Sequence, residues 1–242
     1  MRRIKELVKN ILLLCGVLLN HNRKSKILYY HDVHHDSPYT DMSTRYEVLQ
    51  SHIETIKKLG YTIVPNINSA INQISIMFDD GFRGIYDCRE FFYANNICPT
   101  VFLAVSLIGQ HGYLTVDEII DLQNHGFNFQ SHGWRHEDMT SLSDEQLHLE
   151  LVEARKTLSE LLGKDVDEIC LPIGYFSDRL LDKLSKEGYR EIYSSIPGDY
   201  DDLVYGMRRR NLLQSSSPYQ VSMVLKGGMS LLSNRYLKLH TR

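Results

Sequence analysis

Short apolar runs rich in β-branched and aromatic residues alternate along this chain with segments of helical periodicity. Seven runs are predicted as strands, and they cover residues 27–30, 61–64, 74–78, 100–105, 127–129, 169–171 and 191–194. Helical patterns lie between them at 43–59, 84–94 and 178–187, and after capping boxes that begin at Thr115 and Ser143. Repeated strand–helix units with short connections indicate parallel strands in one sheet.

This order predicts a single-domain α/β fold, a distorted, incomplete (β/α)7-type TIM-like barrel. An open doubly wound sheet is the alternative. A chain of 242 residues with 43% hydrophobic residues is long enough to fill the core of one such domain. No GxGxxG motif follows an early strand, which counts against a dinucleotide site.

Charge and cysteine content exclude several classes of function. The formal net charge is −3 and no basic block is interleaved with aromatic residues, so we expect no nucleic-acid partner. The triplet 208–210 is basic but local, as expected of a solvated or ion-paired strand end. The four cysteines lack any CxxC spacing, which favours reduced, packed thiols over a disulfide framework or structural zinc site.

The first 24 residues differ from the rest of the chain. An apolar run at 11–19 lies between Arg2, Arg3, Lys5 and Lys9 on one side and Arg23 on the other. The run is too short to cross a membrane and lacks the small-residue cleavage site of a signal peptide. Residues 1–24 are therefore expected to form a basic, apolar helix that lies at a membrane surface, or one that packs on the domain of residues 25–242.

Polar and titratable side chains follow four of the predicted strands. They are His31 and Asp32 after 27–30, Asp79 and Asp80 after 74–78, His132 and His136 after 127–129, and Pro172 to Tyr175 after 169–171. Because the carboxyl ends of parallel barrel strands meet at one face, we expect these groups to converge there.

Two adjacent carboxylates and two imidazoles four residues apart form the ligand set of a divalent-metal site with one carboxylate to spare. Three protein ligands leave a position open for water, and the spare carboxylate can take a proton from that water. Each element also has an ordinary structural interpretation. The aspartates could cap a helix or form a turn, the HxxxH spacing arises readily by chance, and His31 could be a buried core histidine.

These motifs resemble those of the polysaccharide deacetylase family, the NodB-homology or carbohydrate esterase family 4 proteins. Residues 76–81, IMFDDG, resemble the family's TFDDG motif, with Met77 in place of threonine. Residues 131–136, SHGWRH, resemble H-[ST]-x-x-H, with Gly133 in place of the hydroxyl residue. Residues 98–103 and 171–175 resemble the strand and the P-Y-G motif that accompany them, and the similarity extends over about residues 27–215.

Two departures from the family pattern affect the site. Cys170 stands where the third motif often has an arginine that orients the catalytic aspartate, and no late Leu-x-His motif is evident around His240. One permuted branch of the family instead begins with a Tyr-His element on its first strand. Residues 27–32, ILYYHD, resemble that element, so His31 takes the place of the late histidine by this analogy.

The resemblance implies a role for each candidate residue. Asp80, His132 and His136 bind a divalent metal, for which Zn²⁺ is expected and Co or Ni remains open. Asp79 is the catalytic base, and His31, kept cationic with help from Asp32, is the acid. A backbone N–H near Ile173 stabilises the oxyanion, and Trp134 and Tyr175 provide substrate contacts.

The expected function is that of a metal-dependent hydrolase that removes N-acetyl groups from an amino-sugar-containing polysaccharide or glycan intermediate, including a lipid-linked saccharide. An amidohydrolase acting on a non-sugar C–N bond is one alternative. A catalytically inactive glycan-binding relative is the other, because of Met77, Gly133 and Cys170. Membrane contact through residues 1–24 would place the protein at the cytoplasmic face or in the cell envelope of a bacterium.

Overall fold

The computed structural model describes residues 2–242 and has an α/β architecture. Its strands are β1 (Lys26–Tyr30), β2 (Asp32–His34), β3 (Ser43–Arg45), β4 (Thr62–Ile63), β5 (Gln73–Phe78), β6 (Thr100–Leu103), β7 (Asn128–Ser131), β8 (Glu168–Cys170), β9 (Glu191–Tyr193) and β10 (Asn211–Leu212). Its α-helices are α1 (Arg2–Asn20), α2 (Tyr46–Lys58), α3 (Gly84–Asp87), α4 (Arg89–Ala94), α5 (Val116–Asn124), α6 (Asp144–His148), α7 (Ala154–Leu162), α8 (Asp178–Lys186), α9 (Pro218–Leu225) and α10 (Ser230–His240). A π-helical turn, Leu149–Glu153, joins α6 to α7.

The strands form one curled parallel sheet in the order β10-β1-β5-β6-β7-β8-β9, with β4 paired to the start of β5. The two edges approach each other where Ser194 N donates to Arg208 O, just before β10. The predicted (β/α)7-type barrel is therefore confirmed, and the open doubly wound sheet is not formed. One barrel strand, β10, was not predicted, because two residues are too few to show a period.

Strand alternation divides the core into two layers. One face of the strands packs against the surrounding helices, and Leu28, Tyr30 and Phe78 belong to that layer. The other face fills the barrel with Ile27, Tyr29, Met77, Phe102, Cys170 and Tyr193. Because side chains alternate along a strand, the residues that continue the inner rows past the strand ends also point into the barrel.

Helix boundaries differ from the predicted ones at three places, the first of which is α1, since it ends at Asn20 and not at residue 24. The predicted helix 43–59 begins only at Tyr46, because residues 43–45 pair with β2 as the short strand β3. The predicted helix 84–94 is broken at Cys88 into α3 and α4. Both capping boxes are formed, at Thr115 and at Ser143.

Helix α1 lies along the outside of the barrel against α9 and α10. Leu13 is fully buried in this contact. A Cβ atom on Gly16 would come within 2.2 Å of the Gly228 carbonyl oxygen, so the two backbones touch there. Within residues 2–242, no helix is long and apolar enough to span a membrane.

Candidate metal and active site

Strand alternation brings three of the predicted site residues into the barrel. Asp79 follows the inward-facing Met77, His31 follows Tyr29, and His132 follows Gln130, each two residues further along its strand. All three lie at the carboxyl ends of parallel strands that are adjacent or nearly so in the sheet. They therefore meet at one mouth of the barrel, as the sequence predicted.

Asp80 reaches the same point through a strained turn. Its backbone is in the left-handed region, with φ of 72°, and Gly81 follows with φ of 77°. A non-glycine residue rarely adopts this conformation, so the surrounding structure must enforce it. As a result, Oδ1 of Asp80 lies 3.2 Å from Nε2 of His132 and 3.0 Å from Nε2 of His136.

Glu150 fixes the loop that carries His132 and His136. This carboxylate is buried and accepts from the backbone N–H of Trp134 at 2.6 Å and from that of Arg135 at 3.1 Å. Gly133, with φ of 77°, and His136, with φ of 60°, let the loop turn back toward Asp80. Nδ1 of His132 lies 2.8 Å from the carbonyl oxygen of Cys170, which acts as acceptor and leaves Nε2 free to face Asp80.

The three side chains fit a divalent cation. One ligand atom from each of Asp80, His132 and His136 lies within 4.8 Å of the others. Among the described residues, Oδ1 of Asp80 accepts no hydrogen bond of acceptable geometry although it is buried and both imidazoles are close. A buried carboxylate oxygen that has two imidazole nitrogens nearby but no aligned hydrogen-bond donor is the arrangement expected of a metal ligand. Two imidazoles and one carboxylate suit Zn²⁺, Co²⁺ or Ni²⁺.

A second set of potential ligands, Asp79, His132 and Cys170, satisfies the same distance criterion but fits less well. Both oxygens of Asp79 and the Cys170 sulfur are already within 2.6–2.9 Å of the Arg210 guanidinium, which would repel a cation. Burial raises the pKa of the Cys170 thiol well above its usual value, which disfavours the thiolate form that binds zinc. We therefore assign the ligand set to Asp80, His132 and His136.

Arg210 was not identified as a site residue from the sequence. Its side chain is fully buried, and its Nη1 and Nη2 donate to Oδ1 and Oδ2 of Asp79 at 2.6 and 2.9 Å. Burial alone would raise the pKa of Asp79, but Arg210 outweighs that effect and holds the pKa below its usual value. One sequence signal could have indicated Arg210. Cys170 stands where the third motif often has an arginine, so another cationic residue was needed to orient Asp79. The basic triplet 208–210 contains such a residue.

His31 is buried beside this pair. Its Nδ1 has no hydrogen-bond partner among the described residues. Burial lowers the pKa of His31, while the nearby carboxylates of Asp79 and Asp80 oppose that shift. The expected support from Asp32 is wrong: Oδ2 of Asp32 accepts from the backbone N–H of Tyr39 instead, because adjacent strand residues point to opposite faces.

The three remaining candidates lie on the loops at the mouth. Ile173 is about half exposed and has a left-handed backbone with φ of 61°. Trp134 is half-buried on the histidine loop. One face of the Tyr175 ring is covered by Arg242, whose guanidinium carbon lies 3.5 Å from the ring centre. A sugar could therefore stack only on the other face of Tyr175.

A separate cavity lies at the opposite end of the barrel. It has a volume of about 710 Å³ and is lined by residues at the amino ends of the strands, among them Ile27, Ser75, Asn128 and Glu168. In parallel α/β barrels this end serves stability, and the chemistry lies at the opposite end. The shallower mouth around Asp79 and Asp80 is therefore the candidate active site.

Fold and site together define an α/β barrel hydrolase of the NodB type, and comparison with known proteins gives the same result. The sequence profile described as polysaccharide deacetylase matches residues 67–192. The protein YxkH of Bacillus subtilis (strain 168) is 23% identical over 199 residues, which cover 77% of this chain and 70% of that protein, and its name assigns it to the same family.

Solved structures agree in fold. The Streptococcus pyogenes deacetylase PplD in complex with acetate superposes with a TM-score of 0.73 at 18% identity, covering 84% of this chain and 98% of that one. IcaB from Ammonifex degensii superposes with a TM-score of 0.72 at 16% identity, covering 85% of this chain and 98% of that one. The profile match spans more than half of this chain, so the chain belongs to the polysaccharide deacetylase family. Family membership supports an enzyme that hydrolyses an acetyl amide.

Proposed function

We propose that this chain is a metal-dependent hydrolase that removes N-acetyl groups from an amino-sugar-containing polysaccharide or glycan intermediate. One observation supports this most strongly. The side chains of Asp80, His132 and His136 converge within 4.8 Å, while the adjacent carboxylate of Asp79 is ion-paired to Arg210 and stands outside that set. Ligands and base are thus separate groups at one site, as hydrolysis of an amide by water requires.

Asp80, His132 and His136 would hold the cation. A bound Zn²⁺ or similar ion supplies Lewis-acid polarisation of the acetyl carbonyl and a lowered pKa for water. Asp79 takes the proton of the attacking water. Its bidentate pairing with Arg210 uses one lone pair on each oxygen, and a carboxylate has further lone pairs that can accept. Arg210 fixes the orientation of Asp79 and keeps it ionised, which is the state a base needs.

His31 supplies the proton that the departing amine needs. It is a good donor once protonated, because burial lowers its pKa and so strengthens it as an acid. The products are acetate and a free amino sugar. The backbone N–H near Ile173 is the proposed oxyanion donor, while Trp134 and the open face of Tyr175 are the proposed sugar contacts.

The test is acetate release from N-acetylglucosamine oligomers by the full chain loaded with zinc. We expect release to stop after chelation, to return on adding zinc back, and to fall by about 10³-fold or more in Asp79→Asn. His31→Gln should lower kcat by roughly 10²–10⁴-fold while the zinc content stays unchanged. Zinc-loaded protein that releases no acetate from any acetylated glycan would refute the proposed reaction.

A further inference from the structure

Helix α1 packs on the domain through one face, where Leu13 is fully buried and Val17 joins the core, and it leaves a second apolar face exposed. The first half of the packed face makes polar contacts: Gln220 at the start of α9 donates through Nε2 to Oε2 of Glu6 at 3.0 Å and to Oδ1 of Asn10 at 2.8 Å. The exposed face has Leu7, Ile11, Leu14 and Leu18, with exposures of 59, 50, 43 and 75%. A helix that needed only its own domain would have polar residues on this outer face.

The outward residues form one continuous stripe. Positions 7, 11, 14 and 18 recur at the helical spacing of three and four, and Val8 and Leu19 widen the stripe on one side. Leu231 and Leu239, on the exposed side of the neighbouring α10, are 43 and 54% exposed. An exposed apolar surface of this continuity marks a binding face.

The charge around the stripe indicates what covers it. Helices α1 and α10 together have six basic residues, Arg2, Arg3, Lys5, Lys9, Arg235 and Lys238, and one acidic residue, Glu6. The whole chain nevertheless has a net charge of −3, so these two helices, which pack together, differ in charge from the rest of the protein. The one acid, Glu6, is turned toward Gln220. Arg235 and Lys238 of α10 are exposed and form no ion pair with the described residues.

We infer that α1 and the exposed face of α10 dock this protein on a membrane surface that contains anionic lipid, with α1 lying in the plane of the interface. Apolar residues on one face and basic residues beside them are typical of an interfacial helix. Pairing with a second copy of the chain would bring two basic surfaces together and is disfavoured. The helix does not need to span the bilayer.

This orientation brings the candidate active site to the lipid surface. Helix α9 begins just after β10, at the carboxyl end of the strands, so Glu6 and Asn10 hold the first half of α1 at that end. Helix α10 finishes there too: Phe176 N donates to His240 O, and Arg242 N donates to Phe176 O. Both docking helices therefore reach the end of the barrel that carries Asp79 and Asp80.

The test is vesicle flotation of the full chain. We expect binding to vesicles of equal parts phosphatidylcholine and phosphatidylglycerol, weakened by added salt. The variant Leu7→Gln/Leu14→Gln/Leu18→Gln should bind about a hundredfold more weakly. The matched control Met42→Gln/Val116→Gln/Leu203→Gln changes exposed apolar residues elsewhere and should bind like the wild type. Arg235→Gln/Lys238→Gln should lose on the order of thirtyfold on the anionic vesicles and little on pure phosphatidylcholine.

Unfolding midpoints of the variants show whether each is folded. If the triple variant is unfolded, Leu18→Gln alone should still weaken binding, since this side chain is 75% exposed. A wild-type chain that stays unbound, or a folded triple variant that binds like the wild type, would overturn the inference. A wild-type dimer that the triple variant converts to monomer, without vesicle binding, would assign the stripe to a second copy instead. These readouts do not depend on catalysis.

Discussion

The guanidinium of Arg210 holds both carboxylate oxygens of Asp79, at 2.6 and 2.9 Å, in a fully buried pair that joins residues 131 positions apart in the chain. The same guanidinium lies 2.7 Å from the sulfur of Cys170. The arginine expected just before the third motif is thus replaced by one that lies just before β10, at the far edge of the sheet. Asp79, the proposed base, is oriented and kept ionised although the usual residue is missing.

We expect Arg210→Met to destabilise the protein by about 3–5 kcal/mol, because it leaves the Asp79 charge buried without a partner. Adding Asp79→Asn should recover much of that loss, since the buried group is then neutral. Urea unfolding of the two single variants and the double variant measures the coupling. Purely additive free energies would show that the pair does not act as a unit.

Gly133→Ser should not be tolerated, although serine is the residue that the family motif favours at this position. A Cβ atom there would lie 2.5 Å from Met139 Cε and 2.6 Å from Glu150 Oε2, at a φ of 77°. We expect a loss of about 2 kcal/mol or more in stability, from left-handed strain plus the displaced Glu150, and about tenfold weaker zinc binding.

The matched control for that substitution is Gly109→Ser. Gly109 has the same φ of 77° but nothing within 4 Å of its Cβ position, so only the backbone strain of about 1–2 kcal/mol should appear. Urea unfolding and zinc titration are measured on both variants. Equal effects at the two positions would mean that contact with Glu150 is irrelevant to the histidine loop.

Cys170→Ser should retain zinc. The thiol contacts Arg210, and burial raises its pKa, so we expect it to orient the ion pair and not to bind the metal. Metal content of the purified variant, measured by mass spectrometry, should match that of the wild type. A variant that is folded and free of zinc would favour the competing set of Asp79, His132 and Cys170.

His52 should make the stability of the fold depend on pH. It is fully buried, its Nδ1 accepts from the Tyr30 hydroxyl at 3.0 Å, and its Nε2 donates to the Ser216 carbonyl at 2.6 Å. Burial lowers its pKa below the ordinary 6.5. The unfolded chain therefore takes up a proton more readily. Stability is complete above pH 6.5 and declines as the pH falls toward the folded pKa.

Urea unfolding at neutral pH and at about pH 5 tests this dependence. The free energy of unfolding should fall more steeply with acidification in the wild type than in His52→Gln, where this titration is absent. Equal slopes would show that His52 contributes nothing to the pH dependence.

The four central site residues were predictable because each lies in a short local pattern at a strand end. Asp79 and Asp80 end one apolar run, and His132 and His136 follow another, so strand alternation and the parallel sheet settle where they meet. Arg210 was not predictable in this way, since β10 has only two residues and its partner is remote in the sequence. The contact of Glu6 in α1 with Gln220 was not predictable for the same reason, because Gln220 lies at the other end of the chain.

The division of labour between the two neighbouring aspartates is tested most directly by calorimetric titration of zinc into metal-stripped Asp79→Asn and Asp80→Asn. We expect Asp79→Asn to bind one zinc ion with nearly wild-type affinity, and Asp80→Asn to bind at least about tenfold more weakly. The reverse order of affinities, or equal losses in both variants, would contradict the assignment of Asp80 as ligand and Asp79 as base.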